Sequence, residues 1–489
     1  MGAPALAYTQ RRADASPLWA LVSDYGEAVS RVWEERFEAE YGPWRPHWRH
    51  VIEGFLACGD LECGFARVRC GDCGNEYLVP FSCKRKLCPS CEARRRVEWA
   101  DRVVEEVLPD LGYRQLVFTV PRVLRRTFLR ERRLLGELVR TAYGVTRLFL
   151  SAQFPGVKGA VPYFVGAVET WGSVVNLHPH AHAVCSEGIL DREGEFHALP
   201  GDFDWSPLAE MWRHALLAML VAQERLTETT QEALLSWQHS GFSADASTGA
   251  VQGDREGLDR LVCYLHKPVL SLGRMEYTSG ASRVIYHGKN EAAAGRGTVA
   301  YEPMEFMALL LAHVPEAHEV RLRYYGAASS TIRRGGRKGR LAATPGDAQR
   351  TIGAGEVPEG PAAPEEAEES GFVKARRRTW ARLLARVYGV DALKCGRCGG
   401  RMKILSFITD AEVIERILRH REEWGLQRKR GPPGEGEAPG GRAAPEPCAR
   451  RVVVDEYAQE FAREDDGRDA GTIWEGSAEA ERREWDSGA

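Results

Sequence analysis

Three histidines stand at alternate positions, His178, His180 and His182, in the stretch Asn176-Leu-His-Pro-His-Ala-His-Ala-Val184. In an extended strand, alternate side chains share one face, so this spacing can put the imidazoles in a row. Imidazole is the commonest side-chain metal ligand, and a pair at i, i+2 on a strand makes a chelate. A half-exposed strand with solvated histidines has the same spacing, so the pattern alone leaves both readings open. Pro179 cannot donate to a strand ladder, which starts the strand beside it. His180 and His182 are then the in-strand pair, and His178 is either a third ligand or a bystander.

Cysteine provides a second chemistry. Cys70-Gly-Asp-Cys73 and Cys88-Pro-Ser-Cys91 are two Cys-x-x-Cys turns separated by fourteen residues. Four thiolates at this spacing suit one tetrahedral structural Zn²⁺. Cys83, between the turns, is a competing ligand; Cys58 and Cys63 are set outside the expected site. A closed four-sulfur site would hold Lys84, Arg85, Lys86, Arg94 and Arg95 on a fixed basic surface. Farther along, Cys395-Gly-Arg-Cys398 is half a zinc site, to be completed by His420 or another chain, or a reduced turn.

The third candidate is Tyr264 with Lys267. Leu258, Leu261, Val262 and Leu265 follow the i, i+3, i+4, i+7 pattern of a helix with a core-facing stripe. At 100° per residue, Tyr264 lies about 110° and Lys267 about 170° from the stripe's centre. Pro268 ends or kinks the helix at Lys267. A phenol and an ammonium thus project from the polar side of the helix's last turn, where a wet boundary tyrosine would also sit.

The elements that must position these groups can be read in part. Tyr113–Val120, Tyr163–Thr170 and His180–Ser186 have strand character, with a basic helix from Pro121 to about residue 150 and helix over 205–240. With 489 residues, 44% hydrophobic and 28% charged, the chain is a multi-domain globular protein. The expected organisation is a helical segment at 1–50, a zinc-binding domain at 51–105, a domain carrying the histidine strand and Tyr264 at 106–332, a linker at 333–370, a helix with the Cys-x-x-Cys turn at 371–425, and a disordered acidic tail at 426–489. The net charge of −3 conceals basic clusters, among them Arg125-Arg126 and Arg376–Arg378, against 5 basic and 12 acidic residues in 451–489. Such clusters suit phosphate backbones. No apolar run reaches membrane-spanning length and no charged-then-apolar leader opens the chain, so a cytoplasmic protein without membrane contact is expected.

Taken in order, these stretches resemble the HUH endonucleases, specifically the rolling-circle insertion-sequence transposases with an N-terminal zinc-binding domain. The resemblance rests on Phe65-Ala-Arg-Val-Arg-Cys70, Phe81-Ser-Cys83, Cys88-Pro-Ser-Cys91, Tyr113-Arg-Gln, the histidine strand, Tyr264-Leu-His-Lys-Pro268, Arg323-Tyr-Tyr-Gly326 and Cys395-Gly-Arg-Cys398-Gly-Gly400-Arg-Met402. It implies an α+β fold: a central antiparallel sheet flanked by helices, preceded by a four-cysteine zinc module. It also implies that His180 and His182 hold Mg²⁺ or Mn²⁺, with His178 or an unidentified acidic or amide side chain as third ligand. Tyr264 would then be the nucleophile that forms a 5′-phosphotyrosine, aided by Lys267. One branch of the family has a second tyrosine four residues on; Pro268 stands there, which resembles the single-tyrosine branch. The implied partners are single-stranded or hairpin DNA at element ends and target DNA, with Lys84, Arg85, Lys86, Arg94, Arg95, Arg125 and Arg126 as backbone contacts and an oligomer possible. A rolling-circle replication initiator or relaxase would share this chemistry; a zinc-dependent DNA-binding protein without catalysis is the other alternative.

Overall fold

The computed structural model describes residues 13–237, 241–288, 297–334 and 394–423. The expected linker, Arg376–Arg378 and the acidic tail lie outside these residues. Chain contacts divide the molecule into two units, one holding most of the chain through Met402 and a smaller one built on 59–69, 76–81 and the residues from 403.

The site-bearing part of the larger unit is an antiparallel sheet. Its strands are β1 (Tyr113–Thr119), β2 (Tyr163–Trp171), β3 (Leu177–Ser186), β4 (Ser243–Asp245) and β5 (Leu322–Gly326), in the order β5-β2-β3-β1-β4, with Gly249–Ala250 also paired to β1. The three strands expected from sequence are present within a residue or two at most ends. β3 differs by reaching back through Pro179 to Leu177. Its pairing with β2 shifts register between Glu169 and Trp171, opposite this proline, so the missing N–H falls at an irregularity of the ladder.

Alternation along the strands assigns the two faces. Ala181, Ala183 and Cys185 of β3, with Leu116 and Phe118 of β1 and Phe164 and Val168 of β2, pack under the helices α2 (Arg133–Ser151) and α3 (Pro207–Ala222). Val184, Val165 and Ala167 face the other way, toward α1 (Pro89–Arg102) and α4 (Arg255–Leu265). His180, His182 and Glu169 have the parity of this second face. The basic stretch after Pro121 breaks into a 3₁₀ turn, a short helix Arg125–Arg130, and α2. The stripe of α4 is buried as its spacing requires, and the helix stops at Leu265, before Lys267. Proline at 268 disfavours helical backbone at the preceding residue, so the last turn cannot include Lys267.

Helices Pro17–Arg31 and His47–Leu56 share a third core with residues 270–314, around Trp33, Trp48 and the helix Pro303–Ala312. In the smaller unit, Phe65–Cys70 and Glu76–Pro80 form a hairpin joined by the strand Met402–Ile408, with Phe65, Leu78 and Ile414 buried together.

Trp212 on α3 is fully buried, packs on Phe118 at 5.0 Å between centroids, and donates from Nε1 to the Thr119 carbonyl at 2.9 Å. Trp212→Ala should cost about 3–5 kcal/mol, read as a lowered midpoint in denaturant unfolding. A loss below about 1 kcal/mol would show that α3 does not seal this face.

Candidate active site

Glu169, His180 and His182 converge on the face of the sheet toward α4. Cross-strand register puts Glu169 opposite His180, and His182 lies one alternation farther along β3. The His180 Nε2 and His182 Nε2 atoms are 2.9 Å apart, and each is 3.5 Å from Glu169 Oε2. All three residues are buried. His180 donates from Nδ1 to the His178 carbonyl at 2.6 Å, which turns its Nε2 lone pair toward the other two groups. Ligands held by a divalent ion at about 2.1 Å and near right angles would lie roughly 3 Å apart, close to these separations. Glu169 Oε1 and His182 Nδ1 are buried without hydrogen-bond partners among the described residues, the mark of a site built around something more than its own side chains. The donor set of two nitrogens and one carboxylate fits a divalent cation.

Electrostatics agree with this fit. Burial pushes the Glu169 carboxyl up, but the imidazoles of His182 and His180 outweigh it and hold the group well below the usual carboxylate range. Burial holds His182 below its ordinary value, against the pull of Glu169. The surroundings thus favour the carboxylate of Glu169 and the neutral imidazole of His182, the forms a metal ligand needs. His178 stacks on His180 at 4.9 Å, and its pKa is lowered to about 4 by burial and then by His180 and Arg125. It stands beside the cluster as a stacking neighbour, and the residue that completes a three-donor group with His180 and His182 is Glu169. The sequence signal for Glu169 was available: a lone carboxylate in a strand otherwise suited to complete burial, Tyr163–Trp171.

Tyr264 lies on the rim, 37% exposed, with its ring edge-on to His182 at 5.1 Å. Lys267 Nζ sits 2.7 Å from the centre of that ring, on its face. Burial, then the Glu169 carboxylate, raise the phenol's pKa above its ordinary value. Lys267 is therefore a partner of the ring, and in this arrangement the phenol is not acidified.

The end of α4 is also tied to the cysteine-rich segment. Lys86 donates from Nζ to Glu92 Oε2 at 3.1 Å and lies 3.3 Å from His266 Nε2. His266 follows Tyr264 by two residues, and its ring lies 6.0 Å from that of Trp99 on α1. Lys86, expected on the basic DNA surface, thus turns inward because a buried Glu92 needs its charge. The other expected contacts vary. Arg94 pairs with Glu98 at 3.2 Å, Arg95 donates to the Lys84 carbonyl, Arg85 lies against Gly54, and Arg125 donates to the carbonyls of Val120 and Leu177. Arg126 stands exposed beside Glu40.

The four cysteines expected to share one zinc fall into two groups. Cys88 and Cys91, at the start of α1, meet Cys58 and Cys83, with Cys58–Cys88, Cys58–Cys91 and Cys83–Cys91 separations of 3.8, 3.7 and 3.6 Å. A tetrahedron with Zn–S bonds of about 2.3 Å has edges of about 3.8 Å, so this buried set fits zinc. Cys58, set aside from sequence, is a member. Cys70 and Cys73 cannot be, because they sit at the tip of the hairpin whose other end, Phe65 opposite Pro80, leads to Cys83. Five paired positions at about 3.3 Å each separate the two ends.

Residues 28–120 match a family described as "Transposase zinc-binding domain", and residues 164–335 match one described as "Putative transposase". The chain is 28% identical over 299 residues to the transposase for insertion sequence element IS801 of Pseudomonas savastanoi pv. phaseolicola, spanning 58% of this chain and 70% of that protein. It is 26% identical over 166 residues to the "Putative transposase y4qJ" of Sinorhizobium fredii, spanning 34% and 41%. No solved structure gives a significant match.

Removing Glu169 deletes a ligand and leaves two imidazoles facing each other in a buried site. Glu169→Ala should weaken Mn²⁺ binding, followed by titration calorimetry, by on the order of 10–100-fold. Unchanged affinity would place the ion elsewhere.

Proposed function

We propose that this chain, which matches a transposase zinc-binding domain and a putative-transposase family and is similar to an insertion-sequence transposase, nicks and rejoins single-stranded DNA through a covalent tyrosine intermediate. The observation that carries this reading is the edge of Tyr264 against His182, 5.1 Å between ring centres, beside a three-ligand divalent cluster. A nucleophile and an ion that binds the scissile phosphate must lie within one phosphate's width of each other.

Glu169, His180 and His182 would hold Mg²⁺ or Mn²⁺, which would supply Lewis-acid stabilisation of the charge that develops on the scissile phosphate in an in-line displacement. The Tyr264 hydroxyl attacks the phosphorus. The new bond is a 5′-phosphotyrosine, the bond that breaks releases a 3′-hydroxyl, and the phenolic proton leaves to solvent. Burial and Glu169 raise the phenol's pKa, so its activation would need added positive charge beside Glu169, which a divalent ion held there would supply. Lys267, over the ring, orients the phenol and neutralises the incoming phosphate. Reversal against a second 3′-hydroxyl rejoins DNA without an external energy source.

A paired, stacked duplex cannot bring its backbone onto a cluster recessed at the sheet face, which favours unpaired or hairpin DNA at the element's ends. Zinc at Cys58, Cys83, Cys88 and Cys91 is structural, because four thiolates leave no open position. Pro268 in place of a second tyrosine leaves one nucleophile per chain for cleavage and transfer, so two ends are processed in succession or by two copies.

The test offers purified protein and Mn²⁺ a labelled single strand from the element end. Wild type should give a covalent protein–DNA band, lost in Tyr264→Phe and reduced at least about 100-fold in His182→Ala. Bound zinc should be unchanged in both variants. An adduct that persists in Tyr264→Phe would remove this tyrosine as nucleophile.

A further inference from the structure

Cys70 and Cys73 do not lack partners: they meet Cys395 and Cys398, more than three hundred residues farther along. We propose that these four cysteines bind a second structural Zn²⁺, which clasps the early cysteine-rich segment to the late Cys-x-x-Cys turn.

The geometry is that of a closed tetrathiolate. Cys70 Sγ lies 3.5 Å from Cys398 Sγ, Cys73 Sγ lies 3.6 Å from Cys395 Sγ, and all four sulfurs fall within 4.8 Å of one another. A zinc tetrathiolate requires separations of about 3.8 Å, whereas a disulfide requires about 2.05 Å, and none of the described cysteines is so joined.

The two turns are built alike. Each reads Cys-Gly-x-Cys-Gly. In the first, Gly74 N donates to the Cys70 carbonyl and Cys70 N donates to the Asn75 carbonyl; in the second, Gly399 N donates to the Cys395 carbonyl and Cys395 N to the Gly400 carbonyl. Gly74 and Gly399 take the same left-handed backbone, φ 69° and 75°. Two half-sites of one design facing each other are what a shared ion demands.

Donors also point at the sulfurs. Asn75 Nδ2 lies 3.7 Å from Cys395 Sγ, and Gly400 N lies 3.4 Å from Cys398 Sγ. Such N–H groups stabilise thiolate over thiol, the form a metal needs. The turns touch directly as well: Gly71 N donates to the Arg401 carbonyl at 3.3 Å, and the Asp72 carboxylate packs against Gly400, where a side chain would have to displace it. The matched zinc-binding stretch ends at residue 120, so Cys395 and Cys398 fall outside it. On binding, the thiol protons pass to solvent and the ion closes a loop spanning the whole nuclease region.

Full-length protein, washed with EDTA to strip exchangeable ions, should carry two zinc ions per chain by elemental mass spectrometry. Cys395→Ser with Cys398→Ser should carry one. One zinc in wild type, two in the double variant, or a Cys70–Cys398 disulfide in non-reduced peptide mass spectrometry would overturn the proposal. Should the double variant not fold, Cys398→His decides. Loaded with Co²⁺, it should keep two metals while one of its two tetrathiolate spectra changes to that of three sulfurs and one nitrogen. An unchanged spectrum would overturn the site.

Discussion

A carboxylate sealed in a fully buried strand must find positive charge or a hydrogen-bond donor, and Glu169 is sealed 3.5 Å from two imidazoles on the next strand, a donor set that fits a divalent cation. The pairing holds only in one register, Glu169 opposite His180 and Ala167 opposite His182. A slip of one residue would send the histidines to the face where Phe118, Phe164 and Trp212 pack, and would leave a bare charge behind. The site therefore constrains the sheet as much as the sheet positions the site. β3 must be interior, so that β1 on one side and β2 on the other fix its register. Helices must cover both faces, since a half-solvated sheet would hydrate the carboxylate and weaken its hold on the imidazoles.

A second buried carboxylate carries the constraint outward. Glu92 directly follows the zinc-cluster residue Cys91, and Lys86 precedes Cys88 by two, so both ends of their ion pair are anchored in the same cysteine loop. Burial, then the field of Lys86, keeps His266 neutral, which leaves its Nε2 able to accept from the Lys86 ammonium. Because His266 sits between Tyr264 and Lys267, the cysteine module fixes where the tyrosine's helix ends. The cysteine-rich segment is in this way held against the end of the tyrosine's helix by Lys86, which reaches both Glu92 and His266.

What sequence revealed follows from how local each constraint is. The strand alternation around His180 and His182 and the stripe of α4 depend on neighbours two to four residues away, and both were legible, including the exclusion of Tyr264 from the apolar face. Glu169 was legible only as a lone carboxylate in an apolar strand, because the partners that give it a role exist only after cross-strand register is set. The helix end was misplaced by two residues because the restriction imposed by Pro268 acts on Lys267 itself, so that the helix must finish earlier still. Lys86 read as part of a basic surface because charge runs say nothing about which member faces inward; a buried acid six residues on decides it.

The cysteines show the same limit most plainly. A Cys-x-x-Cys turn is a local object, and its backbone hydrogen bonds, left-handed glycine and paired sulfurs are complete within six residues. Nothing within those six residues specifies the other half of the ligand set. Proximity in sequence suggested Cys70 and Cys73 with Cys88 and Cys91, yet a straight hairpin carries the first pair to one end of its arms and delivers the chain to Cys83 from the other. A rigid rod between two half-sites forbids their union as firmly as a long distance would. Each half must then find a partner brought by another route: a lone cysteine following the helix His47–Leu56 in one case, a turn near residue 395 in the other. Spacing rules thus pick out paired cysteines while the stiffness of the intervening chain chooses which of them meet, and the strand count between two turns is the part of the sequence from which that choice can be read.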